Sequence, residues 1–349
     1  MVTGPTRRSP TTRPSRPLSD GRLVVPKDSP PVVRRDYILR GLATSRWTHL
    51  SPEQHRLTLE EFERCTEERL IHDLFDVGHA DVAILQSTAL TDWFVNPFAG
   101  AAAGGSLAER HPGRFVVNGR FDPRDGEAGL DELERLHERW QFPGVTLCTG
   151  EWKGNSKGWK LSDPWAYRYL EACVSLGIRN VHVYKGPTVY PMNRDAFDVA
   201  DVDDAATAFP DLRFIVEHVG LPRLEDFCWI ATQEPNVYGG LAMAMPFLHS
   251  RPRYFAQIIG ELLYWIGEDR ILFGSDYAIW KPQWLLEKFL AFEIPADMDD
   301  YAELTTEMKR KIVGLNAARL YGIEVPPELD LPVGVGGSEA IGSEPVSPA

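Results

Sequence analysis

Short apolar runs recur along this chain, separated by stretches of helical periodicity, and that alternation limits its folds more than any other feature. The runs occupy residues 82–86, 115–120, 144–148, 181–186, 214–218, 237–241 and 271–276. Short, continuous apolar runs suit strands buried on both faces. Between them lie helical patterns over residues 59–74, 130–140, 165–176, 254–266 and 305–321. The third has its punctuation spelled out: Asp163 at the N-cap, Pro164 at the first helical position, Gly177 at the close. Strands alternating with helices predict a parallel sheet. At this length the leading architecture is an α/β fold of the (β/α)8 barrel type. Its eighth strand should precede residue 59, with Leu23-Val24-Val25 as the weak candidate. A doubly wound open sheet is the runner-up, although no G-x-G-x-x-G follows an early strand.

The 349 residues, 43% of them hydrophobic, suffice for one large core. The expected organisation is a disordered basic tail over residues 1–18, a single barrel over 19–331 and a second disordered tail over 332–349. No apolar run reaches the roughly 18 residues that span a bilayer, and residues 1–40 contain no apolar signal core. Cys65, Cys148, Cys173 and Cys228 are scattered without C-x-x-C spacing, which argues against a disulfide framework and suits a reducing cytoplasm. Net charge is −13, yet residues 1–40 hold nine Lys/Arg against three Asp. An acidic body disfavours nucleic acid as a partner; the basic segment reads as a solvated tail. The expected partner is a small-molecule substrate, with neither nucleic acid nor membrane, in a possible homodimer.

In a parallel barrel, side chains at the C-terminal ends of the strands converge on one mouth. Those expected there are Arg120 and Asp122, Tyr184 and Lys185, His218, and Asp276. The last is the sharpest signal. Arg270-Ile271-Leu272-Phe273-Gly274-Ser275-Asp276 reads as a buried strand delivering a carboxylate at its end, where it needs a metal, a cation or donors. The alternative is a helix or turn cap.

Four segments in order resemble the amidohydrolase-related family, in the branch containing aminocarboxymuconate-semialdehyde decarboxylase and benzoate-type decarboxylases. They are Leu161-Ser162-Asp163-Pro164 through Lys185-Gly186; Phe209-Pro210-Asp211-Leu212-Arg213-Phe214-Ile215-Val216-Glu217-His218-Val219-Gly220; Asp269-Arg270 through Tyr277; and Leu315-Asn316-Ala317-Ala318-Arg319-Leu320-Tyr321-Gly322. The resemblance implies a barrel with one divalent metal, usually zinc, with iron or manganese as alternatives. It implies that Asp276 is a metal ligand or proton acceptor, and that His218 is an acid–base group or oxyanion stabiliser. The departures are as informative. The family opens with His-x-His, and none of the nine histidines here forms one. Its fifth-strand histidine falls at Tyr184, and the carboxylated lysine of the binuclear branch falls at Thr146. His182, two residues before Tyr184 on the same strand face, is either a replacement ligand for a deeper metal or a core histidine bonded to a neighbour. The site is then metal-dependent or metal-free.

The remaining candidates carry paired readings. Lys185 holds an anionic substrate or pairs with Glu217 or Asp276. Arg120 binds substrate or pairs with Asp122. Tyr184 is a phenolic donor or a space-filler, and Trp280 walls the pocket or packs beneath the last helix. The loop over 151–159 is a candidate lid. The function expected is that of a hydrolase or non-oxidative decarboxylase (a carboxy-lyase) on a small carboxylated or cyclic substrate, with His218 and Asp276 at the mouth. The alternative is a non-catalytic accessory or binding protein. A resemblance to actinobacterial amidohydrolase-like proteins encoded beside propane-type diiron monooxygenases implies a role in such a pathway, either on a downstream metabolite or as an accessory protein.

Overall fold

The computed structural model describes residues 50–58, 61, 65–87, 100–151, 153, 156–187 and 193–327. The tail segments, the candidate strand at Leu23-Val24-Val25 and part of the loop over 151–159 lie outside these.

All seven apolar runs are strands: β1 (Ala83–Leu85), β2 (Phe115–Val117), β3 (Gly144–Leu147), β4 (Asn180–Tyr184), β5 (Arg213–Glu217), β6 (Val237–Gly240) and β7 (Ile271–Leu272). Helices fall before, between and after them: α1 (Glu67–Ile71), α2 (Ala101–Arg110), α3 (Gly126–Trp140), α4 (Pro164–Leu176), α5 (Asp201–Ala208), α6 (Leu224–Gln233), α7 (Phe247–Ser250), α8 (Pro252–Ile266), α9 (Pro282–Leu290), α10 (Thr306–Arg310) and α11 (Asn316–Tyr321). β1 pairs with β2, and β3 through β7 form a second ladder in chain order, every pair parallel. A parallel bridge between Gly119 and Val145 joins the two ladders. Strand order equal to chain order, with no switch of direction, is the winding of a TIM-barrel-like fold and not of a doubly wound sheet.

Strand alternation sorts the side chains. Val145, Leu147, Val181, Val183, Phe214 and Val216 are buried in the large core between sheet and helices. The alternate set, including Thr146, His182, Ile215 and Glu217, faces the barrel interior. There Ile215 and Leu272 cluster with Leu320, Tyr238 and Tyr321. The end of α11 is anchored beneath the strands. The carbonyl of Leu320 accepts from Asn180 Nδ2 at 3.1 Å and from Arg213 Nη1 at 2.8 Å, both residues opening their strands.

Several boundaries differ from expectation. The pattern over 305–321 is broken into α10, a π-turn (Lys311–Leu315) and α11, with Thr305 capping the start through Met308 N–H. The described part of 59–74 is α1, capped by Thr66, followed by a π-turn (His72–Asp76). β7 is only two residues long, so Asp276 does not end a strand but lies in the loop beyond it. His218 likewise follows β5, opening a short 3-10 turn. No helix among the described residues is long and apolar enough to cross a membrane.

The short β7 is secured from the C-terminal segment. Phe273 N–H donates to the carbonyl of Ile312 at 2.9 Å. Buried Asn316 donates through Nδ2 to the carbonyls of Glu268 at 2.7 Å and Ile271 at 2.8 Å. Replacing Asn316 by Ala leaves two inward carbonyls without this donor, so Asn316→Ala is expected to cost about 1–3 kcal/mol in urea denaturation. An unchanged midpoint would show that β7 is held by other contacts.

Candidate functional site

The mouth is built where the backbone turns against its usual preference. After Glu217 the chain enters the left-handed region at His218 (φ 69°) and Val219 (φ 47°), and Asp276 does the same (φ 54°). Non-glycine residues adopt this conformation rarely, and clusters of it mark sites whose surroundings over-determine the backbone. Gly186 makes the His218 turn feasible, because a Cβ there would lie 2.7 Å from His218 Cβ. Gly274 does the same for the Asp276 loop, where a Cβ would approach Ala242 Cβ to 2.9 Å.

His218 is fixed by two contacts. Met243 N–H donates to its Nδ1 at 3.3 Å, which places the proton of the neutral ring on Nε2. Tyr184 packs edge-on against the ring, centroids 5.1 Å apart. Asp276 and His218 both line a cavity of about 1270 Å³, together with Glu217, Tyr184, Trp280 and Cys148. Asp276 is half-buried, its exposed part opening onto this cavity. Loss of hydration pushes its carboxyl above the ordinary value of 3.8; His218 opposes the shift and the charge of Glu217 adds to it. Burial, with Glu151 nearby, pushes the Cys148 thiol up to about 12, so it stays a thiol and not a nucleophilic thiolate.

Beneath the mouth, side chains from β3, β4, β5, the residues just past β1 and β2, and α11 form one buried network. His182 Nδ1 and Glu217 Oε1 are 2.6 Å apart, and His182 Nε2 and the Tyr321 hydroxyl are 2.6 Å apart. The Gln86 amide nitrogen lies 2.9 Å from His182 Nδ1. Gln86 Oε1 accepts from Asn118 Nδ2 at 3.0 Å and from the Thr146 hydroxyl. Asn118 Nδ2 also donates to Tyr321 at 2.9 Å. Burial raises the proton affinity of Glu217, but the His182 hydrogen bond and the electrostatic influence of the two neighbouring imidazoles outweigh it, holding the carboxyl below its usual range. A Cβ at Gly240 would lie 2.4 Å from Glu217 Oε2, so a side chain there would displace the carboxylate.

The structure brings His218, Asp276, Tyr184 and Trp280 to one cavity. Trp280 is also 1% exposed and part of the main core, so walling and packing coincide. It does not bring Lys185 there. That side chain is fully buried, with Nζ on Asp201 Oδ1 at 2.6 Å and on the carbonyl of Ala196 at 3.1 Å. The partner expected for it was Glu217 or Asp276, but Lys185 follows Tyr184 in the strand and so points to the opposite face, toward α5. Arg120 pairs with Glu151 at 3.1 Å and Asp122 with Arg124 at 2.6 Å, not with each other. Glu217, expected only as a pairing partner for Lys185, also lines the cavity. Its signal was parity, because it shares a strand face with Ile215.

Among the described residues no three His, Cys, Asp or Glu side chains converge in a way that could hold a metal ion. Both ring nitrogens of His182 are engaged, and Thr146 and Tyr184 occupy strand positions without a strong ligand. These residues do not fit the divalent site that the family resemblance implies.

Parallel strands in chain order, with a cavity lined by titratable side chains beyond their C-terminal ends, define a TIM-barrel-like protein. Residues 66–323 match the amidohydrolase family, and the chain belongs to it. No curated protein matches the sequence. Among solved structures, an uncharacterized TIM-barrel protein from Bordetella bronchiseptica is similar at 21% identity and TM-score 0.58, covering 73% of this chain and 82% of that one. The 2,6-dihydroxybenzoate decarboxylase from Rhizobium is similar at 16% identity and TM-score 0.52, over 82% and 95%. A probable 2-pyrone-4,6-dicarboxylic acid hydrolase from Acinetobacter baumannii is similar at 13% identity and TM-score 0.51, over 74% and 90%. At such identities the likeness is one of fold.

The raised proton affinity of Asp276 has a stability consequence. A carboxyl whose folded-state value exceeds its unfolded one weakens the folded state once pH is above both, and the penalty disappears as pH falls below the unfolded value. Asp276→Asn is therefore expected to raise the melting temperature at pH 7.5, with the gain shrinking as pH falls toward 4. A variant less stable at pH 7.5 would show that the carboxylate is instead stabilised by a partner.

Proposed function

We propose that this chain is an enzyme, a hydrolase or non-oxidative carboxy-lyase acting on a small cyclic organic molecule. The observation that carries the reading is that two titratable side chains, Asp276 and His218, are both held in left-handed backbone at one cavity. Strain of this kind is retained where it positions chemistry. His218, its Nδ1 occupied by Met243, offers an Nε2–H to a substrate oxygen, the role of an oxyanion donor. Asp276 exchanges the proton, its raised affinity bringing it nearer to the working pH of a general acid.

Two reactions use these roles. In hydrolysis, Asp276 as carboxylate takes a proton from water while the water oxygen attacks an acyl carbon. The acyl oxygen gains charge beside His218 Nε2–H, and the proton then passes to the leaving group. In decarboxylation, Asp276 as the acid protonates the ring carbon bearing the carboxylate, the carbon–carbon bond breaks, carbon dioxide leaves, and Asp276 regains a proton from water. No step is routed through a metal, because the described residues do not assemble its ligand set.

A second reading, a non-catalytic relative that binds a small molecule or partner, draws support from the network that engages both His182 nitrogens.

The test is a panel of cyclic carboxylates, esters and lactones assayed for carbon dioxide release and for hydrolysis products. Asp276→Asn and His218→Gln are each expected to lower turnover by about 10²–10⁴-fold with an unchanged circular dichroism spectrum. Full turnover in Asp276→Asn would remove that residue from the reaction; inertness of the wild type throughout would favour the second reading.

A further inference from the structure

The cations around the mouth are already committed. Arg120 is bonded to Glu151 at 3.1 Å, Arg124 to Asp122 at 2.6 Å, Lys185 to Asp201 at 2.6 Å, and Lys281 lies 3.6 Å from Asp73. None of the four lines the cavity among the described residues. Arg310, which does, bonds Glu307 through Nη1 at 2.9 Å. What the cavity presents beside His218 is instead two carboxyl groups, Glu217 and Asp276, on a wall otherwise built from side chains such as Ile84, Leu85, Met243 and Leu272. Glu217 is held by its partners, its Oε1 on His182 and its Oε2 over Gly240, and its carboxyl lies below the usual range.

A carboxylate entering such a space would lose its hydration, meet no uncommitted Lys or Arg among the described residues and face at least one negative charge. Burial of an unpaired charge is strongly unfavourable. An uncharged molecule meets the opposite conditions. Its ring is received by the apolar wall. A carbonyl or hydroxyl oxygen accepts from His218 Nε2–H, and a hydroxyl or amide hydrogen donates to Glu217 or Asp276.

We infer that this cavity selects an uncharged cyclic molecule bearing a carbonyl or hydroxyl group and excludes carboxylate anions. The inference rests on the proposal that the cavity at His218 and Asp276 is a small-molecule site, and it narrows that proposal to addition of water to an uncharged acyl group. Decarboxylation needs a carboxylate that the cavity does not receive.

The experiment is calorimetric titration of the full chain at pH 7.5 with two probes of one shape, benzamide and sodium benzoate. Benzamide is expected to bind at least tenfold more tightly. Asp276→Asn and Glu217→Gln, which each replace an acid by its neutral amide at nearly constant volume, are expected to narrow that ratio; if Glu217→Gln does not fold, Asp276→Asn carries this arm alone. Benzoate binding as tightly as benzamide, or more so, would overturn the inference while leaving the small-molecule site standing. Binding of neither probe to the folded wild type would overturn the inference together with the site assignment beneath it.

Discussion

The hydrogen bond between His182 and Glu217, 2.6 Å long and buried at the centre of the barrel, is the contact through which the rest of the interior is organised. A buried carboxylate is costly unless it is paired. Here the pairing carries its own requirements. His182 needs a partner at its second nitrogen, which Tyr321 supplies from the last helix. Tyr321 in turn meets Asn118, and Asn118 meets Gln86, which returns to His182. β4, β5, the positions just beyond β1 and β2, and α11 are thus linked by polar side chains, and the low dielectric around them makes the loss of any one hydrogen bond costly. This explains why the C-terminal helix reaches beneath the strands instead of lying wholly outside the sheet.

The same contact shapes the mouth. Because Glu217 is held ionised below, Asp276 above lies beside a fixed negative charge as well as in a poorly hydrated space, and both effects favour its protonated form. Two carboxyls of one site are driven apart in proton affinity by their surroundings, the condition under which they take different chemical roles. His218 lies between these influences, its tautomer set by a backbone N–H and not by another titrating group. The cations that could have balanced the site are diverted into pairs at its margins, with Lys185 turned outward onto Asp201 as the most complete case. Membership of the amidohydrolase family describes the scaffold; the chemistry of the interior belongs to these residues.

The seven strands were legible because each is a compact apolar run, and a strand buried on both faces needs only that. The helix at 164–176 was legible from its cap, its proline and its closing glycine. The breaks at the end of the first helical stretch and within the last were not. Two π-turns interrupt otherwise regular periodicity, and the one at Lys311–Leu315 sits where β7 borrows a carbonyl from Ile312, a long-range need absent from local sequence. The candidate site was partly legible. The Gly-Ser-Asp ending and the Glu-His-Val-Gly ending mark residues that meet at the cavity, but both were read as strand ends and both lie in left-handed turns beyond them.

Sequence by itself determined the parallel α/β winding, the identity of the groups available at the mouth and the absence of a His-x-His pair, because composition and period are properties of the chain alone. Tertiary structure decided the pairings. Lys185 takes Asp201, Arg120 takes Glu151, and His182 takes Glu217 with Tyr321. Nothing in the chain states these choices, since several carboxylates were available to each partner and selection rested on which strand face each side chain occupies. Burial then made each choice expensive to reverse, and so set which charges remain to face a substrate.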